Sequence, residues 1–399
     1  MNKLRNIGIS ALAGALVSLS AAQAGGVSVS GSYELSYTNL KHNPRGKVDG
    51  NKLGINKNLS FGAGGDLSDG GGVTWATTIG WNDSAALSKA IMSINMGGIA
   101  TLTYDSGGGG TGANAIDNIV PTAWEEVDYG FSTGISDVGA VSASKGVVNL
   151  TVKAPVAGTG FSLSYAARMG DGHTSDGAVS GGLGSGISGV DAVIDFVNYD
   201  AAHFGFRWGV AGQLELPEQT CKRDQKNRVV FSSYNSCAAS AHKDNPYAGT
   251  MYTKLQLGPL HLGTQATFKD PMDNTVAGYK NKRSIVTGAA LVFGDTLSVS
   301  YGKAWDRYRY NNACRGGSAV TGSGNSENPD WMKCSGDNID GSGGEYETIE
   351  YYGWSAALNL GPVALKGTNN SVGGWGENSS NSGEGLVKSH SEINLSIAF

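Results

Sequence analysis

The dominant period along the chain is two. In the segment VSVSGSYELSY, Val27, Val29, Gly31, Tyr33, Leu35 and Tyr37 fall on one side, and Ser28, Ser30, Ser32, Glu34 and Ser36 on the other. Successive side chains of a strand point to opposite faces, so this reads as a strand with one apolar side. The alternation returns at Leu59, Phe61 and Ala63, at Val73, Trp75, Thr77 and Ile79, and at Phe161, Leu163, Tyr165 and Ala167. It returns again at Phe204, Phe206, Trp208 and Val210, at Ile285, Thr287, Ala289, Leu291 and Phe293, and at Tyr352, Trp354, Ala356 and Leu358. The final residues, SEINLSIAF, alternate too: Ile393, Leu395, Ile397 and Phe399 against Asn394, Ser396 and Ala398.

The connectors alternate as well. One class is tight, as in LGPL from Leu257, FGDT from Phe293 and LGPV from Leu360. The other is long and rich in Gly, Asn, Asp and Ser, near 40–51, 82–89, 105–145, 170–188, 216–247, 269–283, 307–344 and 369–387. The segments between them number about sixteen strands, paired in hairpins and joined by long loops.

Alternation alone fits a soluble sandwich, which turns its apolar face inward. The polar faces here carry Ser, Gly and Thr, with few of the Lys and Glu that coat soluble strands, and aromatics lie near several strand ends. Short turns at one rim, long loops at the other, an apolar outer face and aromatic girdles belong to a transmembrane β-barrel. Lipid offers the backbone no hydrogen-bond partners, so a sheet spans it only by closing on itself. The expected fold is all-β: a transmembrane, antiparallel, up-and-down β-barrel of about 16 strands, a single domain over 25–399. Its last strand should close against the first. Ile393, Leu395 and Ile397 should then face lipid, and Phe399 should sit in the aromatic girdle at the short-turn rim.

Residues 1–24 set the compartment. Lys3 and Arg5 open a basic start, Ile7 to Leu19 is a short apolar stretch, and Ala22-Gln23-Ala24 is a small-x-small cleavage site. This reads as a secretory signal peptide, and the apolar part is too short for a membrane helix. Without it the 29 basic side chains lose Lys3 and Arg5, leaving 27 against 34 acidic ones, a formal charge of −7. Nucleic-acid binders show basic stripes, so that class is set aside. Four cysteines stand in two close pairs, Cys221 with Cys237 and Cys314 with Cys334, which suggests disulfides in an oxidising compartment.

Other motifs are weak. GFSTG at 130–134 matches the spacing around a nucleophilic serine, Ser132, but lacks strand–turn–helix context, so no enzyme is expected. GDNIDGSGGE offers Asp337, Asp340 and Glu345 as oxygen ligands for a calcium ion without the EF-hand spacing, and a solvated loop is the plainer reading. No cofactor is expected.

With its signal peptide, some sixteen strands, terminal Phe and longest loop between the fifth and sixth strands, the chain resembles the general porins of Gram-negative bacteria, most of all those of alphaproteobacteria. The resemblance covers the mature chain from GGVSVSGSYELSY to SEINLSIAF. It implies a homotrimer of barrels in the outer-membrane lipid, passing small hydrophilic solutes and ions, with the long loop at 105–145 folded inward to narrow the pore.

A diffusion pore selects by the fixed charges at its constriction. The long loop supplies Asp105, Asp117, Glu125, Glu126, Asp128 and Asp137, and Thr122-Ala-Trp-Glu125 reads as a capping box that predicts a short helix over 123–129. Parity aims four basic residues at the lumen: Arg168, Arg207, Lys254 and Lys366, with Glu34 on the same side. The net charge and the acidic loop point to a mild cation preference. A substrate-selective channel, with Tyr252 on an inward parity as an aromatic contact, and a non-conducting surface barrel are the alternatives.

Overall fold

The structure, a computed structural model, describes residues 26–42, 51–67, 72–82, 87–106, 110–129, 131, 138–154, 158–167, 187–200, 204–217, 245–272, 279–310, 346–374 and 387–399. Residues 1–24, the four cysteines, Asp137, Arg168, Ser132, Asp337, Asp340 and Glu345 lie outside them.

Sixteen strands form one closed antiparallel barrel in which each strand pairs with its sequence neighbours. They are β1 (Val27–His42), β2 (Leu53–Asp66), β3 (Val73–Trp81), β4 (Leu87–Met96), β5 (Ala100–Asp105), β6 (Val147–Lys153), β7 (Thr159–Ala166) and β8 (Ile187–Asp200). There follow β9 (Phe204–Pro217), β10 (Tyr247–Leu257), β11 (Leu260–Asp270), β12 (Tyr279–Phe293), β13 (Leu297–Tyr310), β14 (Tyr346–Leu360), β15 (Val363–Gly374) and β16 (Val387–Ala398).

The seam closes as the alternation requires. Tyr33 pairs with Ile397, Leu35 with Leu395 and Tyr37 with Ile393. Phe399 ends the ladder: its N–H donates to the Gly31 carbonyl at 3.0 Å, and the Gly31 N–H donates back to its carbonyl at 2.9 Å. The Phe399 ring lies across Gly31, where a Cβ would stand 2.6 Å from ring carbon Cζ. Closure leaves no strand edge unpaired, which is what lets a sheet sit in lipid.

The two faces are the reverse of a soluble sandwich. Tyr33, Leu35, Tyr37, Ile393, Leu395 and Ile397 are exposed on the outside, whereas Asn394 is 3% and Ser396 0% exposed on the inside. Tight connectors at one rim turn on glycines in the left-handed region, such as Gly258 (φ 57°) and Gly361 (φ 72°), which a side chain there would strain. β1 begins and β16 ends at that rim. The longest connector with described residues, 106–146 between β5 and β6, folds into the barrel.

One local expectation fails. No helix forms over 123–129, where the chain runs in bends and turns. Its N–H groups have left for the barrel wall: Ala123 N–H donates to Ser300 Oγ at 2.8 Å and Trp124 N–H to Ser355 Oγ at 3.1 Å. Wall hydroxyls, rather than an N-cap, satisfy these donors, so the capping-box signal is overridden by tertiary contacts. The loop's helical turn is a 3-10 turn at Gly112–Ile116.

Candidate pore constriction

The loop follows the inner wall from β8 to β16. At its start, Ala113 N–H donates to Asp191 Oδ1 on β8 at 3.2 Å. Farther on, Gln265 on β11 accepts from Ile119 N–H at 3.0 Å and donates to the Ile116 carbonyl at 2.9 Å. Asn370 on β15 then donates to the carbonyls of Glu126 at 2.8 Å and Tyr129 at 3.3 Å, and the Tyr129 ring meets His390 of β16 edge-on.

Apolar contacts fix the same path. Ala113, Ile116 and Val138 pack on Val193, Ala211, Ala248 and Tyr252. Val127 packs on Ala304, Tyr308, Ile349 and Tyr351. These wall residues occupy inward parities that a water-filled lumen would give to polar side chains. They are the landing sites of the loop, and each breaks the local alternation.

Between the two clusters the wall is cut back to glycine. Gly263 pairs with Gly288, Gly288 with Gly302 and Gly302 with Gly353, one inward row across β11 to β14. A Cβ on Gly288 would stand 2.5 Å from Val120 Cγ1, and one on Gly302 2.5 Å from Val127 Cγ1. Pro121 lies against Gly263 in the same way. The row is a groove one side chain deep, and residues 120–127 lie in it. Its ends are polar: Lys254 and Arg207 continue it on one side, Asn370 and His390 on the other.

The acids predicted for the constriction separate into two groups. Asp105 is fully buried where β5 ends. Asp117, Glu125, Glu126 and Asp128, farther along the loop, are half-buried. Burial pushes the Glu125 carboxyl up to about 7; Glu392 adds to the shift and Lys366 opposes it. Burial also raises Glu126, which Asp128, Asp117 and Glu125 reinforce, and it raises Asp128. The loop therefore holds less negative charge near neutral pH than its count of acids suggests.

The basic residues are also placed unequally. Arg207 points inward, as its parity indicates, and grips Asp195 through Nε at 3.2 Å and a terminal nitrogen at 2.6 Å. Its guanidinium carbon lies 5.4 Å from the Tyr252 ring centroid, and the Tyr252 hydroxyl donates to the same Asp195. Tyr252 is only 2% exposed, so its ring is no open contact for solutes. Lys254, beside Arg207 in the register, has no acidic partner among the described residues. Lys366 is 3.8 Å from Glu34 and 5.8 Å from the Trp124 ring centroid, close under the loop. Parity also marks Asp195, between Ile194 and Phe196, and Glu392, before Ile393, as inward acids that sequence reasoning passed over.

No protein-family model matches the chain, and no curated protein does. Solved structures match in fold. One is OmpT, an outer membrane protein of Vibrio cholerae, in its trimer form (TM-score 0.56, 8% identity, over 94% of this chain and 100% of that one). Another is OmpF of Salmonella typhi in complex with daunomycin (TM-score 0.54, 9% identity, over 94% and 97%). A third is the anion-selective porin of Comamonas acidovorans (TM-score 0.50, 11% identity, over 94% and 100%). The likeness extends over nearly the whole barrel in each case.

Proposed function

We propose that this chain is an outer-membrane channel through which small hydrophilic solutes and ions diffuse passively, with nothing chemically changed. The observation that carries this reading is a closed barrel, apolar outside, with a long loop folded into its lumen between charged groups. A structural or adhesive barrel has no use for an internal constriction of that kind. The fold shared with outer-membrane porins supports the same reading, as does the signal-peptide pattern of residues 1–24. The narrower likeness to alphaproteobacterial porins rests on the layout of the sequence.

A homotrimer is the proposed assembly, in line with the trimeric form of one similar structure. The proposed selectivity is a mild preference for cations, from the formal charge of −7 without residues 1–24 and the acids along the loop. A substrate-selective channel is less well supported, because Tyr252 is locked against Asp195 and Arg207. Planar-bilayer recording tests the proposal: discrete conductance steps are expected, and silence from a correctly folded barrel sinks it. Reversal potentials in a salt gradient test the selectivity, and a potential of the anion-selective sign ends that part.

A further inference from the structure

Beside the seam, inward side chains from three neighbouring strands converge. Lys366 of β15 is the direct cross-strand partner of Asn394 of β16. On the far side of β16, Glu34 of β1 pairs with Ser396, one inward step from Asn394. Directly opposed residues hold their Cβ atoms about 4.5–5.5 Å apart. Neighbouring strands lie about 4.8 Å apart, so β15 and β1 are separated by the whole width of β16. Even so, Lys366 Nζ stands 3.8 Å from Glu34 Oε1. The lysine side chain therefore reaches across β16, and its amine is carried over the inward row that holds Asn394 and Ser396.

The place is enclosed. The side chains of Lys366 and Glu34 are 3% and 21% exposed, and Asn394 is buried. Ala357, the partner of Lys366 on β14, and Ala364, the inward residue before it, are buried as well. The Trp124 ring, with its centroid 5.8 Å from Nζ, closes the place from the loop side. Asn56 Nδ2 donates to Glu34 Oε2 at 3.4 Å, which leaves Oε1 to the amine. The Asn394 carbonyl oxygen is buried without a hydrogen-bond partner, which is uncommon for a side-chain amide. An ion pair between Lys366 and Glu34 does not require an asparagine opposite the lysine.

We propose that Lys366 and Asn394 become joined by an isopeptide bond, an amide between Lys366 Nζ and Asn394 Cγ, with Glu34 as the proton carrier. A lysine amine is a nucleophile once an adjacent base has taken its extra proton. Glu34 takes one proton from the Lys366 ammonium, and the freed lone pair attacks Asn394 Cγ. Glu34 then hands that proton to Asn394 Nδ2 and takes a second one from Nζ. The Cγ–Nδ2 bond breaks, the carbonyl re-forms, and ammonia leaves, carrying the proton from Glu34 away as ammonium. No oxidant or reductant is needed.

The bond ties the last strand to its neighbour, beside the seam where β16 closes on β1. It also removes the charge of Lys366 and leaves Glu34 without its cation, so the lumen holds more negative charge than its residues suggest. The inference rests on the register of β1, β15 and β16 and not on the barrel's conducting.

The test compares the full chain held unfolded in urea with the same chain refolded in dodecyl maltoside micelles, both read by intact-mass spectrometry under denaturing conditions. Refolding should lower the mass by one ammonia, and digestion should yield a branched peptide that joins the Lys366 and Asn394 segments. Asn394→Asp should lose one water in place of the ammonia, because the same bond then expels a different leaving group. Lys366→Arg and Glu34→Gln should each keep the full mass. Refolding at unchanged mass overturns the proposal, whatever the variants do, and leaves an ordinary ion pair. So does a loss of ammonia that persists in Lys366→Arg, which would be cyclisation of an asparagine on its own backbone. Bilayer recordings on the same samples separate the two readings: a branched peptide from a silent barrel removes the channel and leaves this bond standing.

Discussion

Two stretches of the same inner wall handle their polar groups in opposite ways. From β11 to β16 the wall binds a piece of its own chain. Glycines make room, hydroxyls and amides accept or donate neutral hydrogen bonds, and small apolar residues receive Val127 and its neighbours. From β8 to β10 the wall receives the start of the loop at Val193, Ala211 and Ala248, but beside that landing it is held by charge, with Arg207, Asp195 and Tyr252 knotted together and Lys254 next to them. The first arrangement sets the width of the opening through packing. The second sets part of its field through ion pairing. Width and field are therefore separable here, and variants should move one without the other.

The largest effect should come from filling the groove. In Gly302→Val the new side chain takes the space that Val127 occupies, and overpacking of this kind costs about 1–3 kcal/mol. The strand ladders are untouched, so the cost should fall on the loop, which lifts from the wall. Single-channel conductance is expected to change clearly while the barrel's thermal unfolding stays near wild type. An unaltered conductance would mean that the groove does not position the loop.

Next in size is Asp195→Asn on the other stretch. The substitution removes the carboxylate from Arg207 and leaves two cations side by side, at a cost of about 1–3 kcal/mol for a broken charged hydrogen bond. Conductance should be nearly unchanged, whereas reversal potentials should move toward anions. If conductance shifts as much as in Gly302→Val, width and field are not separable.

A smaller change is expected for Asn370→Ala, which removes two hydrogen bonds to the loop carbonyls of Glu126 and Tyr129. About 1 kcal/mol per bond is the usual net loss. With the groove intact the loop should stay docked on average and fluctuate more. Open-channel current noise should rise before mean conductance does, and a quiet trace of normal amplitude would assign the docking to the apolar contacts alone.

These outcomes bear on how much of the molecule could be read from its residues. Parity assigned the faces of β1 and β16 and aimed Arg207, Lys254 and Lys366 inward, because a period of two is a local property; the inward fold of the long loop was implied by the resemblance to porins and not by any period. What lies across a strand is not local. Asp195 and Arg207 meet because β8 and β9 pair in one register, and the glycine row exists only when four strands align. The capping box at Thr122 was a sound local signal that lost to Ser300 and Ser355, each about two hundred residues away. A count of acids could not reveal that Asp105 is fully buried, for a similar reason: its burial depends on how the chain packs at the end of β5. One unused clue was present. Val193, Ala304 and Ile349 break the alternation on inward parities, and each marks where the loop lands.

The smallest expected effect joins the two stretches, because Glu125 belongs to the docked loop and also contributes to the field. Its pKa in the docked loop is about 7, raised from 4.5 mainly by burial. A raised carboxyl pKa means that docking favours the protonated form. The contribution is fully present below about 4.5, declines as pH rises toward 7, and is gone above that. Two consequences follow with opposite demands on the loop. Between pH 6 and 8 the opening gains negative charge, so reversal potentials should drift toward cation preference. Over pH 5 to 7 the loop should dock less firmly, so current noise should rise. Glu125→Gln keeps the size of the side chain and removes its titration, and it should flatten the drift near pH 7 at unchanged conductance. A drift that persists undiminished in that variant would assign the titration to a different group, and the link between width and field through Glu125 would be lost.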